Sequence, residues 1–145
     1  MKKVLVASHG HLASGIRSSI GILTGMADMV EAVDCYVDDS DFTPRIQAFI
    51  DSVGPEDEAI IFTDIYGGSV FQKVVLMEPE KRGIVHVTGM NLGLVIETLL
   101  GAEPVTADSI KQSVELARAT MQVVELRARP RTTRSPRETS LIREY

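Results

Sequence analysis

Val4-Leu5-Val6-Ala7-Ser8-His9-Gly10-His11-Leu12-Ala13-Ser14-Gly15 is the stretch whose reading decides the fold. An apolar, partly β-branched run stops at Ser-His-Gly-His, and a helical pattern begins. A buried parallel strand hands over to a helix in this way in α/β domains. Leu12, Ile16, Ile20 and Leu23 recur at helical spacing and predict an amphipathic helix ending near Gly25. The turn between strand and helix is where such folds place ligands, outside the carboxyl ends of the strands. That turn carries His9, which reads as the reactive group.

The same punctuation repeats along the chain. Val30 to Val37 predicts a second strand, broken by Asp38-Asp39-Ser40-Asp41. Thr43-Pro44 reads as a helix start, with Thr43 as cap and Pro44 at the first helical position. Phe42, Ile46, Phe49, Ile50 and Val53 mark one face of that helix, and Gly54 stops it. Glu58 to Asp64 is a third strand of the buried type, ending in Ile65-Tyr66-Gly67-Gly68-Ser69. A helix through Val75 and Met77 follows, then a fourth strand from Gly83 to Thr88. Gly89-Met90-Asn91 opens a further helix with Leu94, Ile96, Leu99 and Leu100. Thr106 is placed to cap a last one carrying Ile110, Val114 and Ala117. Met121 to Leu126 alternates as an edge strand would. The alternation predicts a single doubly wound α/β domain: a mostly parallel four-stranded sheet, helices on both faces, right-handed crossovers and a C-terminal edge strand.

Composition narrows the function classes. The 145 residues are 44% hydrophobic and 24% charged, as in ordinary globular domains. The apolar run behind Met1-Lys2-Lys3 is too short for a signal peptide core, and no later run is long enough to span a bilayer. The lone cysteine, Cys35, excludes an internal disulfide, suits a reducing, cytoplasmic setting and reads as a small buried hydrophobe. The net charge of −5 conceals an asymmetry, because residues 127–145 hold Arg127, Arg129, Arg131, Arg134, Arg137 and Arg143 against Glu138 and Glu144. The remaining body is strongly acidic, which suits a basic protein partner and argues against nucleic-acid binding. The Arg-rich stretch has no interleaved aromatics and reads as a solvated, flexible tail.

Three turns at one sheet edge bring together His9, Asp64, the Gly67-Gly68-Ser69 segment and Asn91. A neutral imidazole held in one tautomer is a good nucleophile toward phosphorus. A carboxylate such as Asp64 on one ring nitrogen fixes the tautomer and steadies the charge that develops on the ring. Gly67-Gly68-Ser69 at a helix start offers N–H groups, a hydroxyl and a favourable dipole to an anion. Taken together they describe a phosphoryl-accepting histidine. His9 and His11 alone make a poor zinc signature, and no nucleotide-binding glycine motif occurs, so neither metal nor cofactor is expected. His86, inside the fourth strand, reads as packing.

Three segments carry a resemblance: Val4 to Gly10, Phe62 to Ser69, and Thr88 to Leu92 with Glu97-Thr98-Leu99. In order and spacing the chain resembles the enzyme IIA component of the mannose-family sugar phosphotransferase system, over about residues 1–126. The resemblance implies a phosphoryl carrier: His9 takes phosphate from the phosphocarrier protein HPr and passes it to enzyme IIB, which serves membrane components IIC and IID. It puts Asp64 at the aspartate that orients the histidine. Ser69, after Gly67 and Gly68, falls on the serine lining the phosphate pocket, and Asn91 falls near the site. It implies a homodimer in which the last strand joins the partner's sheet, so Met121–Leu126 is the candidate for exchange. Tyr66 stands where the family often has Trp, and Val70 where it often has Pro. No Ala/Pro-rich linker toward a IIB domain occurs, so a separate IIA chain is expected. Two alternatives share the fold: a phosphoryl donor of dihydroxyacetone-kinase type, or a domain regulated by phosphorylation. A non-catalytic interaction module is a third, disfavoured by the joint presence of His9, Asp64 and Ser69.

Overall fold

The computed structural model describes residues 1–126. Its centre is strand β1 (Lys2–His9), flanked by β2 (Val30–Cys35) and β3 (Glu58–Thr63), with β4 (Val85–Thr88) beyond β3. All pairings are parallel and the order is β2-β1-β3-β4. The helices are α1 (Leu12–Thr24), α2 (Thr43–Ser52), α3 (Ser69–Leu76), α4 (Leu92–Leu100) and α5 (Ala107–Arg118). The predicted doubly wound sheet is therefore present.

The pleat divides the core in two. Leu5, Ala7, Val33, Cys35, Ala59 and Ile61 point to one face and pack with Ile46, Phe49 and Ile50 of α2 and Val70 and Val74 of α3. Val4, Val6, Val30, Ile60 and Phe62 point to the other and meet α1, α4 and α5 through Ala13, Ile20, Leu94, Val95, Leu99 and Ile110. A strand covered on both sides has no polar face, which is why β1 and β3 read as continuous apolar runs. The winding reverses at β1: the chain leaves it over one face to reach β2, then crosses the other face to β3. The carboxyl ends of β1 and β3 thus form the switch point of the sheet, where such folds open a crevice.

Several expected boundaries move, each for a local reason. The second strand stops at Cys35 because Tyr36 adopts a left-handed backbone with φ of 63°. Thr43 is not the cap of α2 but its first residue. Phe42 holds the cap position, and the Asp41 carboxylate accepts from the Thr43 N–H at 3.0 Å and its hydroxyl at 2.7 Å. The fourth strand begins at Val85, after a 3-10 turn (Pro79–Arg82) closed by Gly83 at φ 72°. Thr106 does cap α5, in a reciprocal capping box with Ser109.

The expected edge strand is not formed. Residues 121–126 take no regular structure, and Met121, Val123, Val124 and Leu126 are exposed. A strand needs a neighbouring edge for its N–H and C=O groups, and within this chain the segment pairs with neither β2 nor β4. The Arg-rich tail expected at 127–145 lies outside the described residues. Among the described residues no helix is long and apolar enough to cross a membrane.

His86 lies in β4 as structural packing, its Nε2 2.9 Å from the Thr63 hydroxyl and its ring 5.5 Å from that of Phe71. Burial pushes its pKa below the ordinary value, against a smaller opposing pull from Glu80. The folded state then disfavours the proton relative to the unfolded chain. The contribution is complete above about pH 6.5 and is lost as pH falls through the depressed folded value. Urea unfolding between about pH 7 and pH 5 should show stability falling with pH, and His86→Gln should flatten that dependence.

Candidate functional site

β1 delivers His9 to the crevice and β3 delivers Asp64 one residue past its end. The register Ala7↔Thr63 sets the two side by side. The Asp64 side chain is 6% exposed and the His9 side chain 41%. One carboxylate oxygen, Oδ2, accepts twice from the same residue: from the His9 backbone N–H at 2.7 Å and from ring Nδ1 at 2.8 Å. The other, Oδ1, accepts from the Ile65 N–H at 2.9 Å. Burial acts to raise the Asp64 pKa, but these three donors outweigh it and hold the carboxyl below its usual range. The site thus contains a fixed anion that accepts a hydrogen bond from Nδ1–H.

With Nδ1 protonated, Nε2 carries the lone pair. It faces the Ser69 hydroxyl at 3.2 Å, which donates to it. Ser69 is the first residue of α3, and Gly68 holds the cap position. The opening N–H groups of a helix have no intrahelical acceptor and favour an anion. Nε2 therefore points to where a hydroxyl and a helix N-terminus converge. Gly67 takes a left-handed turn at φ 77°, which suits glycine. Space at Gly68 is tight: a Cβ there would stand 3.2 Å from the Ile65 carbonyl oxygen, closer than ordinary contact, and 3.4 Å from His9 Cε1.

The third turn is tied to the sheet by the Met90 N–H, which donates to the Thr63 carbonyl at 3.0 Å. Asn91 holds the N-cap of α4, its side-chain oxygen accepting from the Leu94 N–H at 3.1 Å. It lines a groove with Leu23, Leu92, Ile96 and Leu116. The structure thus joins His9, Asp64 and Ser69 directly and gives Asn91 a hydrogen bond to its own helix.

His11 belongs to a separate pair. Its Nδ1 lies 3.0 Å from Asp34 Oδ2, and Asp34 also accepts from the Ser14 hydroxyl and N–H. Burial pushes the Asp34 carboxyl up, and the Ser14 and His11 contacts bring it down below its usual range. Cys35 is fully buried in the core, and burial pushes its thiol up to about 11. No group of three or more His, Cys, Asp or Glu able to hold a metal occurs among the described residues.

Sequence reasoning missed the fourth turn of this edge. Tyr36, directly after β2, stacks on the His9 ring with centroids 5.5 Å apart and planes 28° from parallel. Phe42 meets Tyr36 edge-on at 5.0 Å, and the Lys73 ammonium stands 5.3 Å from the Tyr36 centroid and 4.6 Å from that of Phe42. A signal was present: an aromatic follows a buried strand whose end must lie beside His9. The expected strand ran on to Val37 and so placed Tyr36 inside it rather than at its end.

Fold and site define an open parallel α/β domain whose switch point holds an oriented histidine beside a helix N-terminus. The family model described as PTS system fructose IIA component matches residues 3–115, and the chain belongs to that family. It is thus a IIA-type component of the sugar phosphotransferase system. Solved structures agree in fold. One, from Klebsiella pneumoniae subsp. pneumoniae MGH 78578, is described as a phosphoenolpyruvate-dependent sugar phosphotransferase system permease. It is 26% identical over 84% of this chain and 90% of its own, with a TM-score of 0.73. The mannose/sorbose specific IIA subunit from Enterococcus faecalis is 18% identical over 90% of this chain and 100% of its own, with a TM-score of 0.76. The PTS IIA protein associated with the fucose utilization operon from Streptococcus pneumoniae is 22% identical over 84% and 92%, with a TM-score of 0.69.

Two predictions follow from this geometry. Gly68→Ala should displace the His9 ring, seen as shifts of its imidazole resonances, with the melting temperature lowered by no more than about 5 °C. The Cys35 thiol should resist alkylation at about pH 8 in the native protein and react once the chain is unfolded in urea.

Proposed function

We propose that this chain is a phosphoryl carrier of the sugar phosphotransferase system, with residues 1–126 as the working unit and His9 as the residue phosphorylated. One observation carries the reading: the His9 ring is bracketed, with the Asp64 carboxylate on Nδ1 and the Ser69 hydroxyl at Nε2. Phospho-HPr is the donor, a histidine of enzyme IIB the acceptor, and membrane components IIC and IID lie downstream. The setting is the cytoplasm.

The chemistry follows from that bracket. The Nε2 lone pair attacks phosphorus, the P–N bond to the donor's histidine breaks, and its electron pair returns to the donor ring. The Nδ1 proton stays in place, so His9 becomes a phosphorylated imidazolium whose charge Asp64 offsets. The Ser69 hydroxyl swings from Nε2 to a phosphoryl oxygen, and the first N–H groups of α3 stand ready for the others. No metal or nucleotide enters this step. Transfer onward is the same reaction in reverse with IIB as acceptor, which suits a shallow site whose histidine is partly exposed. Exposed Leu12, Ile65 and Tyr66 near His9, Asp64 and Ser69 in the chain give a partner an apolar surface to dock on.

The homodimer belongs to the same proposal. The apolar side chains of Met121, Val123, Val124 and Leu126 stand in solvent, and among the described residues the outer edge of β4 carries no neighbouring strand. Pairing the segment with a second copy's sheet would satisfy both.

The test is phosphoryl transfer from phosphoenolpyruvate through purified enzyme I and HPr, read by intact mass. Wild type and His11→Ala should gain one phosphoryl group, His9→Ala none, and Asp64→Asn should be slower by at least about ten-fold. An unlabelled wild type would overturn the reading and point to a different phosphoryl donor or to a non-catalytic interaction module.

A further inference from the structure

Tyr36 takes no part in the phosphoryl-transfer steps, yet its geometry is unusual. Its backbone sits at φ 63°, a conformation that β-carbon sterics disfavour for a bulky side chain. Glu78 is the other non-glycine residue with a positive φ among those described, and it lies in the turn after α3. A strained residue persists where its surroundings over-determine it, and such positions gather at functional sites. Here the consequence of the strain is visible. The left-handed turn ends β2 one residue after Cys35, which is registered with His9, and swings the phenol ring onto the imidazole.

The ring is itself braced. Phe42, nearly buried at the start of α2, meets it edge-on. Lys73, one turn along α3 from Ser69, places its ammonium by both rings. Elements from both sides of the crevice thus converge on a ring whose other contact is His9. Asp64 and Ser69 hold the two ring nitrogens through bonds that lie in the imidazole plane, and such bonds resist tilting of the plane less than displacement within it. A stacked neighbour opposes that tilt.

We infer that Tyr36 is a positioning residue for His9: its stacked ring, braced by Phe42 and Lys73, sets the plane of the imidazole and so the direction of the Nε2 lone pair. As the His9 ring gains positive charge on phosphorylation, the π face of Tyr36 also becomes a favourable neighbour for it. The proposal deepens the carrier reading and uses it for one of its two readouts.

The experiment compares wild type with Tyr36→Phe, Tyr36→Gly and Tyr36→Asn. Glycine and asparagine accept a left-handed backbone, so both should fold, with melting temperatures near or above that of the wild type. The first readout is the exchange broadening of the His9 Nδ1–H resonance, which requires no phosphoryl donor. The second is the rate of phosphorylation from phospho-HPr, separated into kcat and KM. Tyr36→Phe should keep a slowly exchanging Nδ1–H and a kcat within about two-fold of wild type. Tyr36→Gly and Tyr36→Asn should broaden that resonance and lower kcat about ten-fold with KM nearly unchanged. Loss confined to KM, or an unaltered Nδ1–H in both variants, would overturn the inference and assign Tyr36 to partner docking. A phenylalanine variant as poor as glycine would overturn stacking as the cause. If phospho-HPr labels no variant, including wild type, the carrier reading fails, while the Nδ1–H comparison still decides the positioning role.

Discussion

Two hydrogen bonds converge on one oxygen of Asp64, from the backbone N–H and from the ring of the same histidine. The rest of the site depends on this double contact. The backbone bond locks the end of β1 against the end of β3, and the ring bond fixes the tautomer. One carboxylate therefore joins the architecture of the sheet to the chemistry of the imidazole. The Ile65 N–H on its second oxygen leaves the carboxylate satisfied and holds it in the charged form.

The two-layered core exists to hold that contact in place. Strands β1 and β3 are buried on both faces, so their register cannot slip without moving apolar side chains out of their layers. Precision at the crevice is thus a property of the sheet. The turns at the strand ends add the groups that surround the ring. Gly68 is small so that the turn before α3 can press against His9, Ser69 reaches Nε2, and Tyr36 covers the ring. Rigid strands bring the nitrogen, and adaptable turns decide what surrounds it.

The His11–Asp34 pair shows how little composition says about roles. It has a similar Nδ1-to-carboxylate distance, yet the His11 side chain is 79% exposed, and the Ser14 hydroxyl and N–H donate to Asp34. Two histidines two residues apart in sequence end in different environments because one closes a strand and the other opens a helix. What distinguishes His9 is the pair of partners that a second and distant segment brings to it.

The element order, the parallel sheet and the triad of His9, Asp64 and Ser69 were legible before any coordinates. Apolar runs of strand length alternate with helical patterns, and the chemistry falls where each run ends. Those features are local: each depends on periodicity or on a residue's place relative to a strand end. The remainder was not local. The stacking of Tyr36 depends on which strand lies beside β1, and its strained backbone on packing from α2 and α3. The Thr43 boundary turned on the Asp41 carboxylate, which engages the Thr43 N–H and hydroxyl and leaves Phe42 in the cap position, a choice that only geometry decides. The alternating segment at 121–126 has the pattern of a strand but joins neither outer edge of its own sheet. Pattern sets what a segment can become, and tertiary structure sets which neighbour it meets, because hydrogen bonds and ring contacts require a partner at a particular distance.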